Sequence, residues 1–422
     1  MIRNYFVFTC LLLSATLCFA NKPIKWDKNL SNEQNIATNS VALKSETDLS
    51  FLDTTANKNS IIVLGEGGHY ELKTTEAKIN LINYLKKKAY NSIAMETTSF
   101  LSAYVFSNPE YKDKTKDWKA ENLISSVWTD QKTFQPLIDM LNKREIKLLG
   151  IDGQLGSYDI IAAKTILEKY KNEIPFEIDW NKLRNYYFSR LVFYMMPKEY
   201  KPLTKSEEYE LMNTINNISN YVGYIVSKNH NTQDLKALMH WIQNVKNAFP
   251  YNKYNMVLEG MKTADDVTFV TYIERNRDEM MAKNVIWHAE NDPKEKFTVW
   301  CANYHGSKDL SQEYNPDDPL LYFSTQTMGE FLSTSPICKK VYTLAITCKN
   351  VYKDCNDGKL ESEIIKATKN SPFAFIDFGS LRFAEGYWNK TFNASIRVNR
   401  DGKFLYSYDG LYYLRDQELN YK

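Results

Sequence analysis

The chain has 422 residues, 43% of them hydrophobic and 25% charged, and its 53 basic and 51 acidic side chains leave a formal charge of +2. This is the composition of a globular protein with one large core or two smaller ones. The charges are interspersed, so the sequence has neither the basic footprint of a nucleic-acid binder nor a polybasic tract for a membrane surface.

At the N-terminus Arg3 precedes an apolar run from Tyr5 to Leu17, and Cys18-Phe19-Ala20 ends in a small residue. The pattern is that of a secretory signal peptide over residues 1–20, cleaved after Ala20, and it implies an exported protein, periplasmic or extracellular. The run is shorter than the roughly 20 residues a membrane span needs. Neither Cys10 nor Cys18 follows the small-residue pattern that precedes a lipidated cysteine, which disfavours lipoprotein anchoring. Cys301, Cys338, Cys348 and Cys355 remain after cleavage. Cys348 and Cys355 form the first pair to test for a disulfide. Without a CxxC spacing, no zinc site is expected from these thiols.

Residues 21–50, rich in Asn, Ser and Lys, read as a loosely ordered lead-in, and residues 51–422 as a single domain. Ile61–Leu64 predicts a strand, Glu71–Lys88 a helix and Asn91–Glu96 a second strand. Helical patterns then start near Phe100 and cover Phe134–Arg144, before a third strand at Ile146–Asp152. Alternating strands and helices imply an α/β fold with a mostly parallel central sheet flanked by helices. From about Asp159 the strand signal disappears, and residues 160–285 read as a large helical insertion expected to cap the cleft. Helix Asp265–Glu290 closes it. Strands resume at Phe297–Trp300, Val341–Thr347 and Phe373–Phe378, and Lys403–Leu414 alternates like a hairpin around Asp409-Gly410.

The candidate chemistry stands at strand ends. Gly65-Glu66-Gly67-Gly68-His69 follows the first strand, Glu96 ends the second, Asp152 ends the third, and Asn303 and His305 follow Phe297–Trp300. In an open parallel sheet, ligands bind outside the carboxyl ends of the strands. Two glutamates and two histidines there supply a proton acceptor, groups that raise its basicity and a donor for an oxyanion. Singly, each residue has a structural alternative. Glu66 can cap a helix, His69 can be a turn histidine, and Asp152 can form a turn. His288 reads as structural, and His230 and His240 receive no role. The sequence has no GxSxG elbow, no phosphate loop and no HExxH zinc helix.

Taken in order, these residues resemble the erythromycin esterase family. Its GExxH turn is matched by Gly65 to His69, its strand ending in Glu by Ala94-Met95-Glu96, and its G-x-D segment by Gly150-Ile151-Asp152. Its RDxxMxxN helix is similar to Arg277-Asp278 with Met281 and Asn284. Its W-x-H-N-x-H segment reads Trp300-Cys301-Ala302-Asn303-Tyr304-His305, with Ala302 in place of the first histidine. Thr327-Met328-Gly329 and Tyr408-Asp409-Gly410-Leu411 continue the match, which spans about residues 58–415.

The resemblance implies a carboxylic ester hydrolase, an esterase or lactonase acting without a metal or other cofactor. His69 would be the general base, oriented by Glu66 and Glu96. His305 would steady the water or the oxyanion, and Arg277, Asn303 and Asp152 would bind substrate. The expected partner is a small-molecule ester or lactone, with no nucleic acid and no stable membrane insertion. Two alternatives are carried beside it. One is a metal-dependent hydrolase, since two Glu and two His can hold a divalent ion. The other is a binding protein that kept the cleft and lost catalysis, as Ala302 permits.

Overall fold

Runs of buried aliphatic residues define the strands. In the computed structural model, which describes residues 27–153, 157–170, 179–181, 204–228, 232–247, 264–309, 326–348, 359–369, 371–378, 391–392, 400–401 and 407–415 apart from residues 28 and 31, ten strands occur. They are β1 Ser40–Leu43, β2 Ile61–Leu64, β3 Tyr90–Ser99, β4 Lys147–Asp152, β5 Lys296–Trp300, β6 Val341–Cys348, β7 Phe373–Asp377, β8 Thr391–Phe392, β9 Arg400–Asp401 and β10 Gly410–Leu414. Eight of them form one sheet in the order β1-β7-β10-β6-β2-β5-β3-β4, and β8 and β9 pair separately. The strands from β10 to β4 run parallel, while β7 is antiparallel to both β10 and β1.

The helices are α1 Asn32–Asn39, α2 Asp53–Lys58, α3 Leu72–Lys86, α4 Phe100–Ser107, α5 Ser126–Thr129, α6 Gln135–Asn142, α7 Ser157–Leu167, α8 Lys205–Ser227, α9 Gln233–Asn247, α10 Ala264–Asn291, α11 Asn303–Gly306, α12 Met328–Thr334 and α13 Lys359–Ala367. They cover both faces of the sheet. Along β2, Ile62 and Leu64 enter one core with Ala77, Ile79, Leu81 and Leu85 of α3. Ile61 and Val63 enter the other, with Met281, Ala282 and Val285 of α10. This is the two-residue period of a strand buried on both sides. Each such side chain contributes roughly 1.5–3 kcal/mol.

Two sequence expectations change. Part of the lead-in is ordered: residues 32–43 form α1 and β1, because Ile36 and Leu43 find apolar sites that only the folded sheet creates. Asp409-Gly410 is no hairpin tip. Gly410 starts β10, buried throughout and inserted between β6 and β7. The described helices of the insertion share a core with α4, Ile215 and Val222 of α8 and Leu238 and Trp241 of α9 joining Phe100, Leu101 and Val105. The expected cap over the cleft, the signal peptide and Cys355 lie wholly or partly outside the described residues.

Candidate active site

The chain leaves β2 at Gly65, and the turn passes against the segment that follows β5. A Cβ on Gly65 would lie 1.9 Å from Asn303 Oδ1. Glycine is required here by lateral space, not by an unusual φ. Asn303 is fully buried: its amide donates to the Ile346 carbonyl at 2.9 Å and accepts from the Ile346 N–H at 3.3 Å, and its own N–H donates to the Glu66 carbonyl at 2.8 Å. It therefore ties β6, the Glu66 turn and α11 together, a positioning contribution rather than an exposed binding group.

Glu66 turns inward. One of its oxygens accepts from His69 Nδ1 at 2.7 Å and from Trp128 Nε1 at 3.1 Å; the other accepts from Lys78 Nζ at 2.7 Å. Lys78 also donates to the Cys301 carbonyl at 3.1 Å and lies 4.4 Å from the centroid of the Trp300 ring. The side chains of Lys78 and Glu66 are 0% and 1% exposed, whereas that of His69 is 36% exposed. The His69 carbonyl is fixed by Gln131 Nε2 at 2.6 Å, and its ring stands edge-on to Trp128. The pair thus presents one imidazole toward solvent from an enclosed carboxylate.

The end of β3 carries a second buried cluster. Glu96 Oε2 accepts from the Ala302 backbone N–H at 2.8 Å, and Oε1 lies 3.3 Å from both Arg277 Nη2 and His305 Nε2. Arg277 forks onto Asp152, with Nε to Oδ1 at 3.2 Å and Nη2 to Oδ2 at 2.8 Å, the geometry that makes arginine–carboxylate pairs strong. His305 Nδ1 donates to Asp278 Oδ1 at 2.9 Å, and that oxygen also accepts from the Met328 N–H at 2.7 Å at the start of α12. His305 Nε2 also lies 3.2 Å from Arg277 Nη1. A proton on Nε2 serves Glu96 and its absence serves Arg277. With Asp278 and Glu96 flanking the ring, the protonated form prevails.

Thr97, next to Glu96, has φ 66°. For a β-branched residue this is a strained, left-handed backbone. It coincides with a register shift between β3 and β4, and the Thr97 N–H is held by Asp152 Oδ2 at 3.0 Å. Asp152 therefore organises both the bulge and Arg277, rather than only the turn that follows it.

The proton affinities follow from these contacts. Burial pushes the Glu66 carboxyl up, but the Lys78 charge and the His69 bond outweigh it and leave the group below its usual range. Burial alone would lower His69; the bond and charge of Glu66 and the charge of Glu96 raise it above 6.5. Burial also raises Glu96, yet His305 and Arg277 hold it well below the carboxylate range. His305, against its own burial, is pushed up to about 10 by Asp278 and Glu96. With both imidazoles protonated, Glu66, Glu96, Asp152 and Asp278 are balanced by Lys78, Arg277, His69 and His305.

The structure thus gathers Glu66 with His69, and Glu96 with His305, Arg277 and Asp152, at the carboxyl edge of the sheet. Arg277, Met281 and Asn284 share the α10 face turned to β4, where Asn284 donates to the Ile151 carbonyl at 2.7 Å. His288, held on the Gly150 carbonyl and driven by burial to about 3, is a neutral core histidine. Sequence reading gave Lys78 and Trp128 no place and Asp278 no role beyond its motif. Lys78 carried a signal, since it shares a helical stripe with Ile82 and Leu85 and so had to be buried. Trp128 sits on a four-residue helix with no periodicity to read.

No family model and no curated protein matches the sequence. Solved structures do. A Bacillus cereus protein aligns at 16% identity with a TM-score of 0.63, over 93% of this chain and 99% of its own. A mutant of the erythromycin esterase EreC in its open conformation aligns at 14% and 0.64, over 90% and 98%. A succinoglycan biosynthesis protein aligns at 13% and 0.61, over 92% and 98%. At such identities the likeness is one of fold, and the chain has the erythromycin esterase-like α/β fold.

Proposed function

We propose that the protein is a hydrolase that cleaves an ester or lactone with water activated by His69. One observation carries the reading: a part-exposed imidazole whose Nδ1 is fixed at 2.7 Å on an enclosed carboxylate. That bond selects the tautomer with the proton on Nδ1 and leaves Nε2 as the base. Nε2 takes a proton from water while the water oxygen bonds to the carbonyl carbon and the π pair moves to the carbonyl oxygen. As the carbonyl re-forms, the C–O bond breaks and the leaving alkoxide takes the proton back from His69. Arg277 is assigned to the oxyanion, Glu96 holds Arg277 and the charge balance, and His305 supports Glu96 from behind. The esterase among the fold neighbours supports this choice of reaction.

A second reading rests on Ala302, which offers only its backbone where the resembling family has a histidine. With no side chain there to act as acid, the protein would bind the ester without cleaving it. Mass spectrometry of macrolactones and simple esters incubated with the mature protein separates the two. Addition of water to one compound, lost in His69→Ala, supports the hydrolase. No turnover across the panel, with Ala302→His restoring it, supports the binding protein.

A metal-dependent route is tested by chelator treatment with elemental analysis. Among the described residues no group of three or more His, Cys, Asp or Glu is arranged to hold an ion. No described helix is long and apolar enough to cross a membrane. Export is part of the proposal, and N-terminal sequencing of the mature protein is expected to start at Asn21.

A further inference from the structure

Glu71 stands at the N-terminal boundary of α3 and makes no side-chain capping bond there, although it occupies the position where a short polar side chain usually caps a helix. It is buried instead, folded back over the Gly67-Gly68 turn. A Cβ on Gly67 would lie 3.2 Å from Glu71 Oε1, and one on Gly68 3.3 Å from the same atom. Thr74 Oγ1 donates to the carboxylate at Oε2, 2.8 Å away. One side chain therefore ties the segment between Glu66 and His69 to the first turn of α3. The same helix carries Lys78, the cation on Glu66.

We propose that Glu71 is a positioning residue for the Glu66–His69 pair: its carboxylate clamps the Gly67-Gly68 turn, and gain or loss of its proton shifts the proton affinity of His69. The inference takes its catalytic consequence from the hydrolase reading, but what it asserts concerns the state of His69 alone. The charges that act on it are Glu66 on the turn and Lys78 on α3. Burial pushes the Glu71 carboxyl up to about 7, with Glu66 adding to the rise and Thr74, Gly68 and Lys78 opposing it. Above that pH a second negative charge lies beside Glu66. The charged carboxylate also accepts a stronger bond from Thr74. Added negative charge near the pair favours the imidazolium form of His69.

The test is an NMR titration of the full chain, labelled at histidine and glycine. In the wild type, the His69 ring and the Gly68 amide are expected to share an inflection near pH 7 in addition to the titration of His69 itself. Glu71→Gln, which keeps the shape and removes the ionisation, is expected to abolish the shared inflection and lower the His69 midpoint by roughly half a unit to one unit. Thr74→Val removes one donor from the carboxylate and is expected to move the shared inflection to higher pH; it keeps the test available if Glu71 variants fail to fold. A His69 curve that is the same in wild type, Glu71→Gln and Thr74→Val overturns the proposal. Because hydrolysis is not read, failure of the esterase assignment leaves this result standing.

Discussion

At His69 the exposure of the ring and the enclosure of its partner belong together. A carboxylate in water would share its charge with solvent; at 1% exposure Glu66 directs it at Nδ1, Lys78 and Trp128. His69→Ala is expected to reduce hydrolysis by roughly 10²–10⁴, the usual worth of a general base, with the melting temperature little changed because the ring is at the surface. Hydrolysis by the wild type should rise with pH through a His69 midpoint above 6.5, since under the proposed mechanism the base form acts. Glu66→Gln should move that limb to lower pH while slowing the reaction, and a limb left in place would disconnect Glu66 from His69.

The same groups set a pH window for stability. His69 and His305 have folded values above their unfolded 6.5, so their stabilisation is complete below that pH and is lost as pH rises, for His305 through about 10. Glu66 and Glu96 have folded values below 4.5, so theirs is present above 4.5 and lost on acidification. Glu71, raised to about 7, favours the folded state in its protonated form and loses that contribution from 4.5 up to 7. The melting temperature should therefore peak a little above 4.5, fall first as Glu71 ionises toward about 7, and fall further as the histidines lose their protons from 6.5 toward about 10. A flat alkaline limb would mean that His305 is neutral and accepts from Arg277.

Among the elements, the bulge at the end of β3 shows where local preference yields to the site. Thr97 holds a φ that costs a β-branched residue roughly 1–3 kcal/mol, and its buried hydroxyl has no hydrogen-bond partner among the described residues. Both costs accompany the bulge that separates Glu96 from the β4 ladder. Thr97→Gly is expected to stabilise the protein by about 1 kcal/mol in denaturant unfolding, since glycine accepts that backbone and removes the orphan hydroxyl. Gly65→Ala should act in the opposite direction. Its methyl would overlap Asn303 Oδ1, and forcing that amide off β6 should cost roughly 1–3 kcal/mol in the same assay. A neutral Gly65→Ala would mean that the turn and α11 do not pack as closely as described.

At the scale of the molecule, the edge of the sheet depends on residues that look dispensable. β1 covers β7 in an antiparallel pair from Ser40↔Ile376 to Leu43↔Phe373, and α1 inserts Ile36 into the neighbouring core. A chain starting at Lys44 would expose that edge and lose two buried aliphatic side chains. Unfolding experiments are expected to show a loss of roughly 3–6 kcal/mol, and sedimentation an increased tendency to self-associate through the open strand.

Where a run is buried on both faces, composition and length were enough. Ile61–Leu64, Phe297–Trp300 and Val341–Thr347 are legible as strands because parallel strands covered by helices need continuous apolar sequence. Glu66, His69, Glu96, Asp152 and His305 were legible as a group because each breaks such a run at its carboxyl end. Partnership was not legible. That Glu66 takes Lys78 and Trp128, that Arg277 bridges Asp152 and Glu96, and that Asn303 serves β6 are set by packing between separate elements, and the insertion of β5 between β2 and β3 adds bonds from Lys78 to the Cys301 carbonyl and from the Ala302 N–H to Glu96, more than two hundred positions apart. The edge strand β1 was hidden for the same reason: Ser40-Val41-Ala42-Leu43 is too short to mark a strand by itself and pairs only because β7 is in place. Local sequence determined where strands end and which ionisable residues stand there. Only the tertiary structure decided which of those groups are neutralised in the interior and which one, His69, is left facing water, because burial and charge pairing depend on neighbours distant along the chain.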